Sequence, residues 1–82
     1  MVSPEVRDVI EKSERLYADK LKDVLEKTHI HAYVVIEPKS GDYFLGQTVG
    51  EATAQARAAH PDRLGHIMRV GHPAAFHMGG AA

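Results

Sequence analysis

Apolar side chains recur at spacings of three and four along the first third of the chain. Val6, Val9, Ile10, Leu16, Tyr17, Leu21, Val24 and Leu25, with Ser13 and Thr28 as small members of the same rows, follow a helical period. Ser3 is placed to cap this helix, Pro4 takes the first position where a missing N–H costs nothing, and Glu5 suits the positive end. The spacing predicts one long helix over about 4–28. At about 100° per residue its apolar rows cover roughly half the circumference. Asp8, Glu11, Lys12, Arg15, Asp19, Lys22 and Glu26 fill the solvated side, with Asp8–Lys12 and Glu11–Arg15 as pairs four apart in the favourable order. So broad an apolar face invites a second contact. Ile10, Tyr17 and Val24 fall at seven-residue intervals, a degenerate heptad row, with Val6 and Ser13 beside it. A homodimer built partly on Ile10, Tyr17, Leu21 and Val24 is the expectation.

From 30 to 37 the period changes. I-H-A-Y-V-V-I-E is rich in β-branched and aromatic types and reads as a strand, with Val34 and Ile36 on one face and Tyr33 and Val35 on the other. Pro38-Lys39-Ser40-Gly41 is a turn, and 42–45 returns, giving a hairpin over 30–46. One sheet face is expected to meet helices and the other a partner, with Tyr33 at the contact. Thr48-Val49-Gly50-Glu51 is a capping box opening a second helix over 49–60, which stops at Pro61. Its inward line of Val49, Ala52, Ala56 and Ala59 gives little apolar area but permits close approach to a sheet. A second hairpin is expected over 64–78, turning at Gly71-His72-Pro73, before a tail at 79–82. A three-residue turn would set His66 opposite Met78, and a two-residue turn would set it opposite His77. The fold class is α+β. A single domain over 1–82 in the order α-β-β-α-β-β is expected, with a four-stranded, mainly antiparallel sheet packed by two helices.

Composition sharpens this in one respect. At 82 residues the chain buries a small fraction of its surface, and it has no cysteine for disulfides, thiolate metal sites or thiol nucleophiles. A histidine-based site or self-association are the remaining supplements. A net charge of -1 gives no overall field toward nucleic acid or an anionic membrane, although Arg57, Arg63 and Arg69 gather in the last third. No apolar run approaches a membrane span and no leader pattern is present, so a cytoplasmic protein is expected.

Six histidines are the obvious candidates for chemistry. His66, His72 and His77 cluster in the second hairpin as weak metal candidates, His29 and His31 share a strand-like stretch, and His60 ends the second helix. None matches a known ligand spacing, so no cofactor is expected. Asp42, Glu37 and Glu51 lie near the first turn or the helix cap, and Ser40 lies on a turn without a motif to present it as a nucleophile. No catalytic constellation is visible, and the chain is not expected to be an enzyme. Arg57, Arg63 and Arg69 are the residues a nucleic-acid surface would use, although the ribbon between them is apolar. Gly71 after Arg69-Val70 is explained by hairpin geometry rather than by a phosphate loop.

Tyr43-Phe44-Leu45-Gly46-x-Thr48-x-x-Glu51-Ala52, with Ala56-Arg57, Pro61-Asp62-Arg63 and Arg69-x-Gly71, resembles a family of small bacterial α+β proteins. Its members share a G-x-T-x-x-E-A helix start and an R-x-G hairpin, and some are antitoxin-like partners of a second gene product. The resemblance covers about residues 30 to 78 and carries no catalytic or binding residue across. The long first helix and the histidine-rich second hairpin depart from shorter members. The leading expectation is a small homodimeric protein-interaction module, possession of a second protein partner being a further option. An antitoxin-like nucleic-acid binder and a histidine-based metal protein are the alternatives.

Overall fold

A computed structural model describes residues 3–72 of the chain. The Ser3 hydroxyl accepts from the Val6 amide at 3.1 Å and starts α1 (Pro4–Leu16). The helix then passes without a break through a π-helical turn (Tyr17–Leu21) into α2 (Lys22–Thr28). The Lys22 amide donates to the Tyr17 carbonyl, the five-residue step that defines the wider turn. At the far end the His29 amide closes on the Leu25 carbonyl at 2.7 Å.

The wide turn decides which residues face inward. Val9, Ser13, Tyr17 and Leu25 are buried and Leu21 packs against the core, a repeat of four. A straight α-helix repeats every 3.6 residues, so a strict four-residue row would wind off its partner. Absorbing one residue in the π turn resets the phase. Without it the row after Tyr17 would present Lys20 and Val24; with it Leu21 and Leu25 turn in, and Val24 is 57% exposed. The half-circumference apolar face of the sequence thus becomes two narrower stripes joined at Tyr17.

Three strands form one antiparallel sheet in the order β2-β1-β3: β1 (Tyr33–Glu37), β2 (Asp42–Gly46) and β3 (His66–Arg69). β1 is central because both of its edges are paired, Val35 lying between Phe44 and Ile67. On one face Val34, Ile36, Met68 and the following Val70 meet Tyr17 and Leu25 in the main core. The opposite face receives α3 (Val49–Ala59), which packs on β1 and β2. Half of the expected capping box forms: the Glu51 amide donates to Thr48 Oγ1 at 3.1 Å, while the Glu51 carboxylate accepts at 3.0 Å from the amide of Gln47, one residue before the cap, rather than from that of Thr48. Close approach depends on Gly46, where a Cβ would stand 2.6 Å from the Ala52 nitrogen.

Three expectations need correction. The described residues hold three strands in the order α-β-β-α-β, and the expected fourth strand at 74–78 lies outside them. The two helices lie on opposite faces, because Val34 and Val35 point in opposite directions and both are buried. Neither face of β1 is therefore left wholly to a partner. The phase reset has a direct check: Leu25→Ala is expected to cost about 2–5 kcal/mol in urea unfolding, and Val24→Ala less than about 0.5 kcal/mol.

Candidate functional site

Because α3 lies over β2 and β1, a groove of about 260 Å³ opens between α3 and β3. Val35 and Ile67 line it from the sheet, Thr53, Ala56 and Arg57 from the helix, and Leu64 from the connecting segment. Leu64 is 46% exposed there. The Thr53 hydroxyl is buried in this wall with no hydrogen-bond partner among the described residues. The groove is apolar at the sheet and cationic at the rim.

The rim is anchored by a buried carboxylate. Glu37, only 3% exposed, accepts from the Lys39 amide at 2.8 Å, the Ser40 amide at 2.9 Å and the Arg63 guanidinium at 3.1 Å. Burial pushes this carboxyl up, but the hydrogen bonds from Ser40, the Lys39 amide and Arg63 outweigh it and bring its pKa from 4.5 to about 2. One ion thus ties the first turn to the segment entering β3. Nearby, His60 Nε2 stands 2.8 Å from Asp42 Oδ2 and 3.4 Å from Ser40 Oγ. Serine, histidine and aspartate meet here, yet both contacts fall on the same nitrogen. A relay needs the carboxylate on one ring nitrogen and the hydroxyl on the other, so this cluster does not activate Ser40.

A second polar cluster lies at the opposite end of the sheet. His31 Nδ1 is 2.7 Å from His72 Nε2, with ring centroids 4.8 Å apart. Beside them Arg69 donates from Nε to the His31 carbonyl at 3.1 Å, and its guanidinium carbon lies 5.4 Å from the centre of the Tyr33 ring. The Gly71 amide donates to the Tyr17 hydroxyl at 3.3 Å, and that hydroxyl donates to Glu26 at 3.1 Å. Burial raises the Tyr17 pKa, and the Glu26 carboxylate adds to the rise against the Gly71 amide.

The expected interface residues do not form one patch. Tyr17 is buried in the chain's own core, and the π turn that starts at it rotates Leu21 inward to pack beside it. Ile10 is half-buried, Val24 faces outward, and half-buried Tyr33 lies on the other side of the sheet. Arg57 and Arg63 share the groove rim, whereas Arg69 sits on Tyr33. Arg63 is engaged by Glu37, and of the three only Arg57 and Arg69 make no ion pair among the described residues. The metal candidates are separated too. His66 lies 3.8 Å from Glu14 on the long-helix face, where burial pushes its imidazole pKa down more than Glu14 lifts it. His72 pairs with His31, and His77 lies outside the described residues. No group of three or more histidine, cysteine or acidic residues suited to a metal occurs among the described residues. Sequence reasoning missed the partners of Glu37 and His31, which stand 26 and 41 residues away along the chain.

Comparison with family models, curated proteins and solved structures gives no match to this chain. No helix among the described residues is long and apolar enough to cross a membrane.

The Glu37 clamp sets a pH dependence. Its depressed pKa contributes stability that is fully present above about 4.5 and is lost as pH falls through about 2. In urea titrations from pH 7 downward, Glu37→Gln is expected to be less stable by about 1–3 kcal/mol at neutral pH. The gap from the parent protein is expected to narrow from about pH 4.5, as the carboxyl protonates in the unfolded chain, and to close near pH 2, where the folded protein's Glu37 protonates.

Proposed function

We propose that this chain is a small homodimeric protein-interaction module whose contact surface is the α3–β3 side of the sheet. The observation that carries the reading is the position of α3, which packs on β2 and β1 and leaves a groove over Val35 and Ile67 beside β3. The same patch holds a recess and, on its wall, a 46% exposed apolar side chain, Leu64. A surface with both a knob and a hole can meet its own copy about a two-fold axis, each Leu64 entering the other chain's groove. The net charge of -1 leaves little repulsion between two copies. This places the contact away from the long helix, whose inward stripes are occupied by the chain's own sheet.

The role is one of binding rather than catalysis. The Ser40–His60–Asp42 geometry supports that choice, since the hydroxyl and carboxylate compete for one nitrogen. The nucleic-acid alternative has less support, since it calls for Arg57, Arg63 and Arg69 as one free cationic surface, and Glu37 already engages Arg63.

Light scattering on the full chain at tens of micromolar is expected to give twice the 9.0 kDa chain mass. Ile67→Lys and Leu64→Glu are each expected to weaken the dimer at least about tenfold, as charges placed in a buried contact do, with an unchanged far-UV circular dichroism spectrum. A monomer for the parent protein would overturn the reading. A dimer unaffected by either substitution would overturn its placement.

A further inference from the structure

We propose that His31 and His72 form a two-imidazole binding site for a late first-row divalent cation, with Zn2+ as the representative ion. The two ring nitrogens converge to 2.7 Å from residues 41 positions apart in the chain. They are held there by backbone rather than by side-chain chance. The His31 amide donates to the Val70 carbonyl at 3.0 Å, and the Val70 amide donates to the Ala32 carbonyl at 2.7 Å. The His72 amide closes a turn on the Arg69 carbonyl at 2.9 Å, and Gly71 within that turn has a φ of 82°. A Cβ at Gly71 would meet the end of the Ile30 side chain, so the two segments lie against each other.

His31 itself has a φ of 73°, the only left-handed non-glycine among the described residues. That backbone region is uncommon for non-glycine residues, though histidine enters it more readily than most, and here it lies in the turn that the Ala32 amide closes on the His29 carbonyl at 3.1 Å. The conformation brings the ring to His72, and it accompanies no other contact of the His31 side chain among the described residues. Neutral imidazole is a good ligand for zinc, copper and nickel, with metal–nitrogen distances of about 2.0–2.1 Å for zinc. Two such bonds at a tetrahedral angle need nitrogens about 3.3 Å apart. Opening from 2.7 Å requires only a small rotation of the rings. The ring that donates the shared hydrogen changes tautomer, so that Nδ1 of His31 and Nε2 of His72 both offer lone pairs while Nε2–H and Nδ1–H carry the protons. The nearby Arg69 charge is directed at the His31 carbonyl and the Tyr33 ring rather than at the two nitrogens.

The test is a zinc chloride titration of the full chain at neutral pH by calorimetry, with the imidazole nitrogens followed by NMR. One equivalent is expected to bind, shifting His31 Nδ1 and His72 Nε2. His31→Asn, chosen because asparagine tolerates the left-handed region, and His72→Gln are each expected to weaken binding at least about tenfold. His66→Gln, at the far end of β3 beside Glu14, is expected to leave it unchanged. Circular dichroism of each variant separates loss of ligand from loss of fold. No binding at millimolar zinc, or binding that both single variants retain, would overturn the proposal.

Discussion

A helix that turns a residue inward at every fourth position cannot stay on a flat partner as a plain α-helix, because each step of four overshoots a full turn by about 40°. The row Val9, Ser13, Tyr17, Leu21, Leu25 has this spacing, and the chain resolves the conflict with one π turn at Tyr17–Leu21. Tyr17 begins the turn and is buried at the joint between the two stripes. Its hydroxyl reaches Glu26 on one side and the Gly71 amide on the other. Helix phase, core packing and the position of the 70–72 segment therefore meet at one side chain. A buried phenol with both partners in place is a directional tie, whereas the apolar contacts around it are not.

The sheet separates two polar ends. At one, Glu37 holds the first turn and Arg63 together and shapes the rim of the groove beside α3. At the other, the β1–β3 ladder continues through Ala32 and Val70 and brings His31 to His72. The groove follows from α3 being built of small residues and seated over β2 and β1, where Gly46 admits it. An alanine helix covers little area, so the sheet beyond it stays open. The self-association proposed through that opening is one of the supplements open to a short chain without cysteines.

Local features were legible in the amino-acid sequence because their causes are local. The Ser3 and Thr48 caps, the Asp8–Lys12 pair at 3.2 Å and the first hairpin each depend on residues a few positions apart. The π turn was not legible, since Val6, Ile10 and Val24 fit the 3.6 period as well as the buried row does, and only the sheet decides between them. The same ambiguity made Tyr17 and Leu21 look like surface residues. Glu37 reads as one more turn carboxylate until Arg63 arrives from the far side of α3, and His31 as one more histidine until β3 pairs with β1. Pairing across long stretches of chain creates both sites, and no spacing within a segment encodes it.

The claim on which the rest stands is that Tyr17, buried where the π turn begins, holds the 70–72 segment in place. Native-state amide exchange in the parent protein and in Tyr17→Phe tests it most directly. Phenylalanine keeps the buried ring and removes only the hydroxyl. Exchange at Gly71 is expected to accelerate by about tenfold or more, while the core amides of Val34 and Ile36 keep their relative protection. Equal Gly71 exchange rates in the two proteins would contradict the claim.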